Sequence, residues 1–404
     1  MLKEISRIDL SAAGENCRMW LGDINGDGAL EVVMVQPDSG IDDRYVPHSV
    51  VAATAFDVSG KLLWQIGRPD ANSSPSGSDI PAQIYDINGD GKNEFICVKN
   101  QKLCIFEGAS GKLLEEHALP DEHAHDCIII ADFDGNGHGS IVLKNRYDKL
   151  WILNRDYSVR AMFHGNIGHF PWPFDVNGDG REELIAGYNV IDASGNVLWS
   201  IDMNDHADCI SIGDINDDKK AEIIFGGADT RAYDCTGNLL WAYDGTVESQ
   251  NAAIGRVREG RTMQICGLDR INRGNPGLDG VFILSETGEC LYKEKRTVPG
   301  WSSIVGTIQN IDDSKLDRIL AYRRGGLCGG VYDGQMQLLF EFPFDGYVAW
   351  GDIVNSGLNQ LILYTNREAR IFSYRDVDLT KRAAPIVQSK RLYNTTRYLG
   401  MEVV

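Results

Sequence analysis

The side chains of this 404-residue chain that could do chemistry lie in short polar stretches beside apolar runs. One set places histidine near carboxylates just ahead of such a run: His123, His125 and Asp126; His164, His169 and Trp172; Asp205, His206 and Asp208. Gln250, Asn251 and Trp301 continue it. A second set follows the next run: Arg44, Tyr45 and His48; Arg146 and Tyr147; Tyr188; Asp229 and Arg231; Arg270 and Arg273; Arg323 and Arg324; Asn366 and Arg367. The guanidinium fork matches a carboxylate, and imidazole exchanges protons near neutral pH. Together these types describe a site for an anionic ligand. Two other chemistries draw on the same residues. Asp126, Asp205, Asp208 and Asp229 could supply the carboxylate pair of a glycoside hydrolase, and a histidine cluster could hold a transition metal. No nucleophile elbow, P-loop or dinucleotide fingerprint stands in a suitable context.

A third recurring stretch offers only oxygen donors. Asp23, Asn25, Asp27 and Glu31 follow the spacing D-x-N-x-D-x-x-x-E. The spacing returns at Asp86, Asn88, Asp90 and Glu94, at Asp175, Asn177, Asp179 and Glu183, and at Asp214, Asn216, Asp218 and Glu222. The copy at Asp132 ends in Ser140 instead of Glu. Alternate carboxylate and amide oxygens with glycine at the turn suit a hard cation, so structural Ca²⁺ is the expectation. The alternative is that Asp and Asn cap tight turns through their own backbone. Strands flank these loops and the last acid comes early, which separates them from EF-hands.

These stretches are positioned by a repeat. Each acidic loop joins two apolar runs, and a strand–glycine turn–strand signature follows, as in Phe56-Asp57-Val58-Ser59-Gly60-Lys61-Leu62-Leu63-Trp64 or Tyr233 to Trp241. Four short strands repeating at roughly 40 to 50 residues make a propeller blade. The chain reads as all-β: a single β-propeller over residues 1–404, of about eight blades, with seven as the alternative. The Ca-type loops fall between the first two strands of each blade. Residues 1–10 are expected to supply a closing strand that removes a free edge, and residues 379–404 form a tail. In such a blade the acidic loops and glycine hairpins share one face. The histidines and arginines fall on the other, where loops on a rigid scaffold carry function. Six of the eight histidines map there: His48, His123, His125, His164, His169 and His206.

The net charge of −19 argues against nucleic acid or an anionic membrane as partner. The first ten residues lack an apolar core and a cleavage site, which reads as cytoplasmic. The nine cysteines stand singly, several inside strand runs, and read as reduced buried thiols.

The D-x-N-G-D-G blades resemble FG-GAP/VCBS-type propellers. More narrowly, Asp205-His206-Ala207-Asp208 ahead of the loop at Asp214 resembles the G-H-G-D-A stretch of family 11 rhamnogalacturonan lyases, and Ala124-His125-Asp126 ahead of Asp132 echoes it. Those enzymes are calcium-bearing eight-bladed propellers. Ulvan lyases and rhamnose–glucuronate lyases with propeller folds are similar in outline. The resemblance implies β-elimination at a uronic acid. An arginine neutralises the C6 carboxylate, a His or Tyr removes the C5 proton, and an acid protonates the leaving oxygen. On that implication His125, His169, His206, Tyr147 and Tyr188 are acid/base candidates, and Arg146, Arg231 and Arg324 are clamps. Trp172 and Trp301 are platforms for sugar faces. Arg44, His48, Asp126, Asp208 and Arg270 complete the substrate-binding set. The expected partner is an acidic oligosaccharide. A non-catalytic carbohydrate- or protein-binding propeller and a glycoside hydrolase are the alternatives.

Overall fold

Short apolar runs, bounded by glycine and aspartate turns and too short for buried helices, form strands of three to eight residues. The structure, a computed structural model, describes residues 2–75, 79–270, 279–294, 301–324, 329–382, 384–386 and 401–403. Its strands form eight sheets of four antiparallel strands, one of them joined by a fifth, and each sheet is a blade of a single ring. The seven-bladed alternative is thereby excluded. Blade 1 opens with Arg18–Gly22, blade 3 with Ile128–Ala131, blade 4 with Trp172–Phe174 and blade 5 with Cys209–Gly213. Blade 8 takes Tyr347–Gly351, Gln360–Tyr364 and Glu368–Ser373 from the end of the chain and Lys3–Asp9 from its start, with Lys3 opposite Ser373 and Asp9 opposite Glu368. No helix of the described residues is long and apolar enough to cross a membrane.

Burial follows position in the blade. Opening strands such as Cys209–Gly213 are buried along their whole length, whereas the outer strand Leu113–Ala118 is almost wholly exposed. The blades are joined through their outer strands. The indole N–H of Trp64 donates to Gly108 O (2.7 Å), that of Trp199 to Cys235 O (3.1 Å) and that of Trp241 to Glu286 O (2.8 Å), each in the hairpin of the following blade. Beneath each indole lies that hairpin's glycine. A Cβ at Gly111, Gly237 or Gly288 would stand 2.9, 2.9 or 2.8 Å from the ring.

The tail contributes at two places. Arg382 Nε donates to Asp27 Oδ2 (2.6 Å) and the Ile386 N–H to Asp23 Oδ2 (2.8 Å), so this segment lies on the acidic loop of blade 1. Residues Met401–Val403 form a strand parallel to Cys209–Gly213, on the channel-facing edge of blade 5. Arg391, Tyr393, Arg397 and Tyr398, which stood out in the tail sequence, lie outside the described residues.

Gly237 combines a left-handed φ of +89° with an indole overhead. Gly237→Ala should cost about 1–3 kcal/mol, read as a lowered urea midpoint with an unchanged slope.

Candidate functional site

The loops between blades 3, 4 and 5 are stitched together by backbone before any side chain meets. Ile167 N–H donates to Tyr147 O (3.1 Å) and Gly165 N–H to Asp148 O (2.9 Å), which ties the loop ahead of blade 4 to the middle loop of blade 3. His169 N–H donates to Ala207 O (3.1 Å), and Asn166 Nδ2 to Asp205 O (2.8 Å), which tie the same loop to the one ahead of blade 5. Gly168 allows this approach. Its φ is +62°, and a Cβ there would meet Ala207 O at 2.9 Å.

Four predicted residues therefore converge. The rings of His169 and His206 lie 4.8 Å apart, and the Tyr147 ring is 5.6 Å from each. Nε2 of His169 and Nε2 of His206 both stand 3.5 Å from Asp208 Oδ1. Asp205 Oδ1 takes the other nitrogen of His206 at 2.9 Å, the carboxylate support commonly found behind a metal-bound imidazole. His169 and Asp208 are buried, while His206 and Tyr147 are half-buried. Among the described residues, His169, His206 and Asp208 are the one group of three or more His, Cys, Asp or Glu placed to hold a metal ion, their ligand atoms all within 4.8 Å of one another. Two imidazoles and one carboxylate suit a transition metal better than a purely hard cation.

Arg146 stands behind Tyr147, its guanidinium 5.0 Å from the ring centre. It donates to Asp126 Oδ1 at 2.7 Å, and Lys144 Nζ donates to the other oxygen of Asp126. All three are buried. Burial works against the Arg146 charge, but the Asp126 carboxylate outweighs it and holds the guanidinium firmly protonated. Tyr188 is buried behind His206, where a Cβ at Gly227 would meet both its Oη and His206 O. Burial, reinforced by Asp208 and Asp229, pushes its phenol up.

The remaining predicted residues are elsewhere. His125 is buried and its Nδ1 holds His48 O at 2.9 Å, apart from the cluster. Arg44 pairs with Asp42 (2.6 Å) on an exposed loop, Arg231 with Asp229 (2.8 Å), and Arg270 lies 3.9 Å from Glu248. The basic mouth is thus largely neutralised by its own carboxylates. Trp172 is not on a connection but in the opening strand of blade 4, 7% exposed, with its Nε1 directed at Glu402 Oε2 (3.4 Å). Gln250 and Asn251 likewise belong to a strand, Ser249–Gly255. Trp301 and Arg324 are opposite one another in blade 7 by backbone register; their side chains, with Arg273 and Arg323, lie outside the described residues. Sequence reasoning missed Lys144, two residues before Arg146, and offered Asp205 as a hydrolytic carboxylate, where the structure makes it a partner of His206.

In the acidic loops both expectations have structural content. Asp23 accepts the N–H groups of Gly26 (2.7 Å) and Gly28 (2.9 Å), Asn25 accepts that of Asp27 (2.9 Å), and the Asn25 amide donates to Glu31 (2.9 Å). The loops at Asp86 and Asp175 repeat this pattern; the loop at Asp214 has neither glycine, and there the N–H groups of Asp218 (3.0 Å) and Lys219 (3.0 Å) donate to Asp214. The same loops concentrate charge. Burial, joined by Asp27 and Asp23, pushes Glu31 up to about 8, and burial with the loop aspartates pushes Glu94 and Glu222 up to about 7. The all-oxygen donor set fits Ca²⁺.

A family model described as rhamnogalacturonan lyase family 11, C-terminal domain, matches residues 142–265. That segment contains Tyr147, His169, His206 and Asp208, the side chains that meet. The chain resembles the family 11 rhamnogalacturonan lyases. The rhamnogalacturonan exolyase YesX of Bacillus subtilis is 23% identical over 267 residues, covering 51% of this chain and 43% of its own. The endolyase YesW of the same organism is 24% identical over 256 residues, covering 48% and 41%. The matches thus span about two fifths of the length of these relatives. The crystal structure of YesX aligns at a TM-score of 0.65 with 19% identity, over 89% of this chain and 72% of that one. The biofilm matrix protein Bap1 of V. cholerae aligns at 0.62 with 12% identity, over 92% and 89%. At those identities the structural likeness is one of fold.

His48 provides a pH test away from the cluster. Burial opposes its charged form, yet Asp38 at 2.7 Å and Asp43 at 3.7 Å raise its pKa above the ordinary histidine value. Their stabilisation is fully present below the unfolded value of about 6.5 and is lost as pH rises through the folded one. The Tm difference between the wild type and His48→Gln should therefore be larger at about pH 6 than at about pH 9.

Proposed function

We propose that this propeller is a polysaccharide lyase that cleaves a rhamnose–uronic acid linkage by β-elimination at the blade 3–5 cluster, with an acidic oligosaccharide as substrate. The observation that carries the reading is the convergence of Tyr147, His169, His206 and Asp208 within the segment matched by the lyase family model. The uronate carboxylate needs positive charge beside it before the C5 proton becomes acidic enough to remove. Arg146 and Arg231 are each committed to an aspartate, so the clamp role would fall to a cation held by the two imidazoles and Asp208. A divalent cation bound there would supply that charge. Asp205 fixes the His206 ring and its tautomer through Nδ1. Tyr147, half-buried at the edge of the cluster and backed by Arg146, is the proton-transferring group. Hydrolysis is the weaker alternative, because Asp126 is enclosed by Lys144 and Arg146, and Asp229 by Arg231. The internal pairing of the arginines favours a second reading, a propeller that binds carbohydrate without cleaving it.

Incubation with rhamnogalacturonan oligosaccharides and a panel of other acidic oligosaccharides should raise the ultraviolet band of an unsaturated uronate. Tyr147→Phe should lower the rate by about 100-fold or more, and His206→Ala should abolish it. Reducing ends without that band would mean hydrolysis. Binding with neither signal would mean the non-catalytic reading.

The loops at Asp86, Asp175 and Asp214 are further proposed to hold structural Ca²⁺. Blade 1 differs, because Arg382 and the Ile386 N–H already occupy acids of its loop. Adding Ca²⁺ to chelator-treated protein should raise Tm, and Asp175→Ala should remove part of the rise. A Tm indifferent to Ca²⁺ would leave the loops as plain turn caps.

A further inference from the structure

We infer that the channel strand Met401–Val403 is the back support of the blade 3–5 cluster, with Glu402 as a positioning residue for His169. The inference rests on the reading that this cluster is the working site.

The two loops that carry the cluster run directly into opening strands. His206, Ala207 and Asp208 lead into Cys209–Gly213 of blade 5, and His169 stands three residues ahead of Trp172–Phe174 of blade 4. The separation of these two strands therefore sets the separation of His169 from His206 and Asp208. Residues 401–403 bridge them. The register with blade 5 places Met401 opposite Ser211, Glu402 opposite Ile212 and Val403 opposite Gly213. Gly213 permits the approach, since a Cβ there would stand 2.6 Å from Val403 O. Toward blade 4, Glu402 Oε2 accepts the Trp172 indole N–H at 3.4 Å.

The strand is itself anchored on its other side. Met401 Sδ lies 3.1 Å from the Ile254 nitrogen of blade 6 and 3.4 Å from the Thr307 hydroxyl of blade 7. Val403 is buried in the cluster of apolar side chains between blades 5 and 6. Three residues thus touch four consecutive blades, and one carboxylate reaches the strand that leads from His169. The Trp172 indole, which the sequence offered as a sugar platform, is the handle by which this support acts.

The test compares the wild type with Glu402→Ala, Glu402→Gln and a chain cut before Met401. The imidazole resonances of His169 and His206, assigned with His169→Gln and His206→Gln, should move in Glu402→Ala and in the shortened chain. Those of His48 and His125 should stay in place. Glu402→Gln keeps an acceptor for the indole and should restore the wild-type positions. Lyase turnover should fall about tenfold or more in Glu402→Ala with KM little changed, as expected of a site loosened without loss of binding groups. Unmoved His169 and His206 resonances in both Glu402→Ala and the shortened chain would overturn the inference. If the wild type shows no lyase activity, the lyase reading fails, and the resonances alone decide the role of the strand.

Discussion

The Trp199 indole of blade 4 rests on Gly237 of blade 5 and donates its N–H to the carbonyl of Cys235. The same contact joins blade 1 to blade 2 and blade 5 to blade 6. Where the outer strand lacks a tryptophan the hairpin glycine still faces its neighbour, as Gly195 faces Met162 and Gly60 faces Ile8. Everything on the opposite face depends on this spacing. Tyr147 belongs to blade 3, His169 to the passage into blade 4, and His206 and Asp208 to the passage into blade 5. None of them would meet if the angle between blades were free. An indole can set that angle because a flat ring with a directional donor fixes both tilt and height over a residue that has no side chain.

The scaffold was legible because its instructions are local. D-x-N-G-D-G and the glycine hairpin each fit within nine residues and repeat, so the blade could be read from one copy and confirmed by the next. The residues that converge were legible as types and as occupants of one face. Not every partner was. Asp42 and Asp229 stand two residues from Arg44 and Arg231, so those pairs were open to a local reading, whereas Asp126 lies twenty residues before Arg146 and is recognisable as its partner only in space. His125 and His169 occupy comparable passages, yet the first is turned to the carbonyl of His48 and the second to Asp208. The strand at Met401 had no signature at all: three residues without a turn motif are determined by the channel that receives them.

The internal pairing of the arginines also changes how this acidic protein would meet an acidic ligand. With a net charge of −19, long-range attraction is absent, and the arginines expected to offset it are spent locally. What remains for recognition is short-range: two imidazole nitrogens, a half-buried phenol and any cation that they hold. Such a site selects by contact geometry more than by charge.

The eighth blade takes three strands from residues 347–373 and its fourth from Lys3–Asp9. Lys3–Asp9 therefore cannot close the ring until the other strands of blade 8 have been made. It must wait, with its edge unpaired, while the seven intervening blades are made and laid side by side. Lys3, Glu4, Arg7 and Asp9 place charge along that strand, and charged edges resist pairing with the wrong neighbour.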